Sequence, residues 1–176
     1  LRIAAAQAGA ELGRRQAENA LRKSEAAAKE SERRLNTLLN HLPGMAYRCL
    51  NDNDWTMQLV SKGAEALTGY RPDELENNRI TSFANLIHKE DHDRLVKAVQ
   101  SAIHQRRPYC VTLRIRHRDG SERWMWEQGQ AVFKESGEVL CLEGFITDVT
   151  DQQESQRVQR AVMQVASTVT SRVGDD

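Results

Sequence analysis

The chain lacks a net charge. Its 25 basic and 25 acidic side chains cancel over 176 residues, so no long-range field draws nucleic acid or an anionic membrane. It lacks any apolar run near the roughly 18 residues that span a bilayer, and its first residues do not form a secretory signal. Cysteines are few: Cys49, Cys110 and Cys141 are odd in number, with no paired spacing. That argues against a disulfide framework and for buried free thiols in a reducing, cytoplasmic compartment. Proline and aromatic residues are missing from both flanks. All nine aromatics lie between Tyr47 and Phe145 and all three prolines between Pro43 and Pro108, so the packed core is confined to that window. A domain of that length buries somewhat more than about 60% of its unfolded surface and needs no staple.

What the flanks do contain is helical. From Leu1 to about Asn40 the chain is rich in Ala, Glu, Arg, Lys and Gln, which favours a long solvated helix with an early break at Gly9 or Gly13. From Leu21 a heptad can be written with Leu21, Ala28, Leu35 and Leu42 at one seam position and Ser24, Ser31 and Leu38 at the other. This pattern suits either a helix lying on its own domain or a coiled-coil dimer. After Thr150, a stretch without Gly or Pro carries Val158, Val162, Val165 and Val169 at alternating steps of four and three, the spacing of a coiled-coil seam, which suits a parallel dimer contact or a lone amphipathic helix docking to the next domain. The chain begins inside one helical pattern and stops after another, as a piece of a longer polypeptide would.

Between the flanks the periodicity alternates. Pro43-Gly44 ends the first helix; Met45 to Leu50 and Trp55 to Val60 read as a hairpin around Asn51-Asp52-Asn53-Asp54. Ser61 is placed to cap a short helix that stops at Gly69, and Pro72 opens another, with Asp73 and Glu74 in its first turn. Phe83, Leu86 and Ile87 mark a third. A longer helix from Glu90 to about Gln105 puts Leu95, Val96, Val99, Ala102 and Ile103 on one face, and Pro108 ends it. Three strands follow: Tyr109 to Arg116, a two-residue turn at Asp119-Gly120, Glu122 to Phe133, and Val139 to Val149. The order implies an α+β fold, with helices on one face of a five-stranded antiparallel sheet. The predicted divisions are a helical linker at 1–42, the domain at 43–150 and an exit helix at 151–176.

Four stretches in order carry a family resemblance. They are Ala66-Leu67-Thr68-Gly69-Tyr70-Arg71-Pro72-Asp73-Glu74-Leu75, Leu86-Ile87-His88-Lys89-Glu90-Asp91, Asp119-Gly120-Ser121-Glu122-Arg123-Trp124, and Gly144 through Asp148-Val149-Thr150. Together they resemble a PAS domain of the PAS/PAC type, with a Trp-bearing fourth strand. The resemblance implies strand order 2-1-5-4-3 and helices enclosing a pocket on the inner face of the sheet. Residues 1 to about 29 look like the last helix of a GAF domain, and residues 158–176 like the first helix of a following module. Such arrangements occur in bacterial diguanylate cyclases, phosphodiesterases and histidine kinases, and this stretch shows no motif of those enzymes. The implied partners are adjacent signalling domains and a second copy of the chain, with neither nucleic acid nor direct membrane insertion.

Alternation gives the candidate pocket: Val111, Leu113 and Ile115 on one strand, Met125, Glu127, Ala131 and Phe133 on the next, Leu142 and Ile146 on the last. These residues serve a plain hydrophobic core and a small-molecule cavity equally well. Glu127 on that face needs a partner, unless a bulge near Gly129 turns it outward. His88 and His92, four apart, lack the glutamate of a zincin, so His88 and Asp91 are read as capping the long helix. In haem-binding PAS domains a ligand sits on that helix. Here His92 falls in its first turn and His104 on its polar side, which points away from haem. Leu75 to Thr81 holds no cysteine, which points away from a flavin–cysteine photosensor. No hydrolase constellation is present, so no catalytic residue is assigned.

On the opposite sheet face Trp124, Trp126 and Phe145 fall together, a patch expected to meet Leu35, Leu38, Leu39 and Leu42 within one chain or across a dimer. Gly144 to Thr150 joins strand to helix. Asp148 and Thr150 are the expected relay residues, Ile146 the residue facing the pocket. The function this implies is a cytoplasmic sensory or relay module. The alternative is a ligand-free dimerisation module that spaces two neighbours.

Overall fold

A computed structural model describes the backbone of residues 2–173 and the side chains of residues 13–35 and 37–164. The chain divides into two units, Leu1–His41 and Leu42–Asp176. The first holds helix α1, Arg2–His41. This helix runs through Gly9 and Gly13 without the expected break. Glycine costs a helix only about 1 kcal/mol against alanine, and the surrounding Ala, Glu, Gln and Arg are strong helix formers. Glu30 adds support by accepting from Arg33 and Arg34, one turn along.

The second unit contains β1 (Met45–Cys49), β2 (Met57–Val60), α2 (Gly63–Thr68), α3 (Pro72–Leu75), a 3-10 turn (Phe83–Leu86), α4 (Lys89–His104), β3 (Tyr109–Arg116), β4 (Glu122–Phe133), β5 (Val139–Asp148) and α5 (Thr150–Val173). The strands form one antiparallel sheet in the order β2-β1-β5-β4-β3, the order the resemblance implied. Its inner face packs against Ala64, Leu67, Leu75, Phe83, Leu86, Leu95, Val99 and Ala102 from the helices, which with the strand residues form one core. Local chemistry sets most element ends. Gly69 stops α2 in a left-handed conformation at φ 78°. Pro72 opens α3, and the Glu74 carboxylate reaches back to accept from Arg71 N at 2.8 Å. His88 Nδ1 accepts from Glu90 N to cap α4.

The structure corrects four local readings. Trp55 is not in a strand: its φ is +50°, and β2 begins only at Met57. Ser61 does not cap α2, because its hydroxyl accepts from Ala46 N at 3.0 Å and so ties β2 to β1. The β3–β4 connection spans residues 117–121, closed by His117 N to Ser121 O at 2.8 Å; Gly120 at φ 88° follows the turn instead of forming its second central position. Cys110 is exposed, since it alternates with the inward-facing Tyr109 and Val111, while Cys49 and Cys141 are buried.

Asp91 is buried 95% by exposure and anchors α4 to the sheet, accepting from Arg114 N at 2.9 Å and Arg114 Nε at 2.8 Å. Burial works against its charge, but the Arg114 bonds win and hold the carboxyl well below the usual range. Among the described residues, no helix is long and apolar enough to cross a membrane.

Candidate functional site

The sheet register lines up four residues in one row: Tyr47 pairs with Gly144, Gly144 with Gly129, and Gly129 with Tyr109. Two tyrosines therefore flank two glycines across β1, β5, β4 and β3. The glycines are what let the tyrosines lean over the sheet. A Cβ at Gly129 would lie 2.5 Å from Tyr109 Oη, and one at Gly144 would lie 2.6 Å from Tyr47 Oη. Over this gap the hydroxyls meet at 2.7 Å.

The adjoining row reads Met45, Ile146, Glu127, Val111. Glu127 thus stands beside the tyrosine pair, and its Oε1 accepts from Tyr47 Oη and, at 3.1 Å, from Tyr109 Oη. The partner of this buried carboxyl is a pair of phenols and not an arginine. Desolvation raises the Glu127 pKa, and the two hydroxyl bonds pull it down without prevailing. Burial likewise pushes the hydroxyls of Tyr47 and Tyr109 and the thiol of Cys49 upward, and the nearby Glu127 charge adds to each.

Beneath these groups is a cavity of about 10 Å³, room for one water. Tyr47, Tyr109, Glu127 and Trp55 bound it, with apolar walls from Cys49, Met57, Phe83, Leu95 and Val99. Two of the bounding side chains carry orphans. Trp55 Nε1 and Glu127 Oε2 are buried and have no hydrogen-bond partner among the described residues. Trp55 also carries backbone strain, since a bulky residue at φ +50° is uncommon.

Of the pocket candidates read from alternation, only Glu127 borders this cavity. Leu113, Ile115, Met125, Leu142 and Ile146 are at most 1% exposed and belong to the solid core. Val111 and Ala131 are half-buried against that core. Phe133 is half-buried beneath the Arg106 guanidinium, 4.5 Å from its ring centroid, after a register shift at Val132/Phe133. The irregularity in β4 is there and not at Gly129, so Glu127 keeps its inward position.

The junction between β5 and α5 is one residue long. Asp148 Oδ1 accepts from Thr150 N at 2.8 Å and Thr150 Oγ1 at 2.6 Å, which caps the helix. Thr150 Oγ1 accepts in turn from Trp124 N at 3.0 Å, and Val149 N donates to Trp124 O at 2.8 Å. The other Asp148 oxygen lies 3.8 Å from Arg123 Nη1, which donates to Ala66 O of α2 at 2.9 Å. The cap is thereby tied to β4 and reaches towards α2.

Trp124, Trp126 and Phe145 share the outer sheet face and are each half-buried. Arg114 stacks on the Trp124 ring at 5.4 Å, so this aromatic is already partly covered by a side chain of β3. On their own elements Leu35, Leu38, Leu42, Val158 and Val162 are exposed. The side chains of Val165 and Val169 lie outside the described residues. Among the described residues no group of His, Cys, Asp and Glu is arranged to hold a metal ion.

Sequence reasoning passed over Tyr47, Trp55, Met57 and Tyr109 as site residues. A signal was there: Gly129 and Gly144 are glycines inside strands, which mark a close approach of something to the sheet. Trp55 offered none, because its strand-like context conceals a left-handed backbone.

Comparison with known proteins agrees with the fold. The chain is 25% identical over 133 residues to a methyl sulfide methyltransferase-associated sensor of Methanosarcina acetivorans, a match covering 75% of this chain and 13% of that protein. It therefore spans only a small part of that relative. A sensory box histidine kinase/response regulator of Burkholderia thailandensis is similar in structure, with TM-score 0.59 and 26% identity over 72% of this chain and 92% of that one. The N-terminal domain of a diguanylate cyclase with PAS/PAC sensor from Marinobacter aquaeolei shares the fold, with TM-score 0.53 and 22% identity over 62% of this chain and 98% of that one. The family profile of the PAS fold matches residues 59–146, half of the chain. From β2 through the core stretch of β5 that match takes in Glu127, Tyr109, Trp126 and both strand glycines, and the chain belongs to the PAS fold family, a sensory and non-catalytic fold.

Proposed function

We propose that the chain is a cytoplasmic relay module. The state of the core under the sheet is passed along β5 into α5, and from there to a signalling output domain joined to it. One observation carries this reading: β5 holds Ile146 in the core at 1% exposure, and two residues later Asp148 caps α5 through Thr150. A change in packing around Ile146 has a covalent path of four residues to the helix start. Neighbouring signalling domains of the histidine kinase, diguanylate cyclase or phosphodiesterase kind would receive it, and paired α5 helices with Val158 and Val162 at the seam would form the dimer contact. A ligand drives such a relay only through its difference in affinity for two states, and about 1 to 3 kcal/mol is a usual coupling. The test is Asp148→Ala in a polypeptide carrying this chain and its output domain. Output that no longer responds while the domain stays folded supports the relay; wild-type regulation removes it.

A second reading has its own support. The cavity is small, about 10 Å³, and Val158, Val162 and Met163 are exposed on α5. Those features suit a ligand-free dimerisation module that spaces two neighbours. Native mass spectrometry of the purified chain separates the two, since a bound small molecule favours the relay and an empty dimer favours the spacer.

A further inference from the structure

Two side chains that line the cavity, Trp55 and Glu127, each hold a buried polar atom without a partner among the described residues. Trp55 Nε1–H is a donor and nothing else; Glu127 Oε2 accepts when ionised and presents a proton when neutral. Trp55 is 5% exposed and Glu127 4%, so bulk water satisfies neither. An occupant that satisfies both accepts from Trp55 and also engages the carboxyl. An ammonium group only donates and leaves Trp55 unpaired. A carboxylate or halide only accepts, so it fits Glu127 in the neutral form alone and is repelled by the ionised one. An apolar group satisfies nothing. A hydroxyl accepts from the indole and donates to the carboxylate, or accepts from the carboxylic acid, so it fits Glu127 in either protonation state.

Size narrows the choice further. A cavity of about 10 Å³ holds one oxygen with its hydrogens. A carbon chain attached to that oxygen needs a wall that yields. Met57 supplies it, being unbranched and flexible, whereas Phe83, Leu95 and Val99 present stiff apolar faces. Those walls suit a short alkyl chain and offer nothing to a second charge. The site is built and not incidental: the glycine pair makes room for the tyrosine hydroxyls, which fix Oε1 of Glu127 and leave Oε2 as the free oxygen.

We propose that the space between Trp55 Nε1 and Glu127 Oε2 is a hydroxyl-binding site, filled by one water at rest and by the hydroxyl of a small uncharged alcohol when a ligand displaces it. This rests on the relay reading only for its consequence, the state that β5 passes on. The site stands or falls by itself.

The test uses the full chain and follows the three indole N–H signals in proton–nitrogen spectra, with Trp55→Phe assigning the Trp55 signal. The probes are 1-propanol, propylammonium chloride and sodium propionate, equal in chain length and different in head group. Propanol shifts the Trp55 signal saturably and leaves those of Trp124 and Trp126 in place, while the two salts have no saturable effect. Glu127→Leu weakens propanol binding at least about tenfold, the effect of losing a hydrogen bond to a buried carboxyl. Glu127→Gln keeps both a donor and an acceptor, and with it propanol still binds. If Glu127→Leu gives no dispersed spectrum, Trp55→Phe decides in its place: propanol binding read at the Met57 methyl weakens by a similar factor. The absence of a saturable Trp55 shift with propanol overturns the proposal, as does a stronger response to propylammonium or propionate. The relay is judged separately at the Thr150 amide. A Trp55 shift with unchanged Thr150 exchange keeps the site and sinks the relay, and loss of regulation in Asp148→Ala without alcohol binding does the reverse.

Discussion

The hydroxyls of Tyr47 and Tyr109 lie 2.7 Å apart, though 62 residues separate them in the chain and two strands stand between them in the sheet. Their meeting point is also where Glu127 finds its hydrogen bonds, so β1, β3 and β4 are joined at one buried polar node.

Removing one of these donors leaves the buried carboxyl under-satisfied. Tyr47→Phe is expected to destabilise the domain by about 1–3 kcal/mol, and Tyr109→Phe by less, because its bond to Glu127 is longer. Urea unfolding of both single variants and of the double variant measures this. Because both hydroxyls serve one oxygen, the two effects are expected not to add.

A methyl group at Gly129 would meet Tyr109 Oη at 2.5 Å and Tyr47 Oη at 2.8 Å. Gly129→Ala is therefore expected to cost about 1–3 kcal/mol through overcrowding and to force the tyrosines apart. Thermal unfolding together with tyrosine fluorescence checks both parts. Unchanged stability would show that the tyrosines shift at no cost.

Glu127 and Asp91 give opposite pH dependences. Burial raises the Glu127 pKa above its ordinary 4.5, so the folded state binds its proton more tightly. Its contribution to stability is full below about pH 4.5 and is lost as pH rises through the folded value. Relative to wild type, Glu127→Gln should gain stability as pH rises from 4.5 through the folded value. Denaturant melts of both proteins across a pH series starting at 4.5 decide it, and a constant difference contradicts it. Asp91 has a folded pKa well below its ordinary 3.8, so its contribution is present above that value and is lost as pH falls towards the folded one. Asp91→Asn should flatten the acid limb of the stability curve, which acid titration by circular dichroism reads directly.

The helix cap at Asp148 is local. Asp148→Ala is expected to cost about 0.5–2 kcal/mol of local stability and to speed hydrogen exchange at Thr150 and Gln153, while the Ile146 amide keeps its protection. Thr150→Val removes the acceptor for Trp124 N and should raise exchange at Trp124 as well. Equal protection in both variants would mean that the cap does not hold the junction.

Much of the architecture was legible in the residues because it depends on short-range chemistry. Gly69, Pro72 and Pro108 stop or start elements through their own backbone limits, and period-two runs such as Tyr109 to Ile115 mark which side chains share a face. The errors were also local: Trp55 took a left-handed backbone that its apolar neighbours did not announce, and the Ser61 hydroxyl found a strand amide instead of a helix end.

What the sequence by itself determined is which face most strand residues present, where most elements end, and, through the family resemblance, the order of the strands. Only the tertiary structure decided that Glu127 is met by Tyr47 and Tyr109, that the other alternating candidates pack solid, and that the remaining space borders Trp55. The physical reason is that alternation fixes direction but not register. Shifting β1 against β5 by two residues would keep every residue on its own face, yet it would take Tyr47 off Gly144, and its ring would then meet a side chain where the glycine had left a gap.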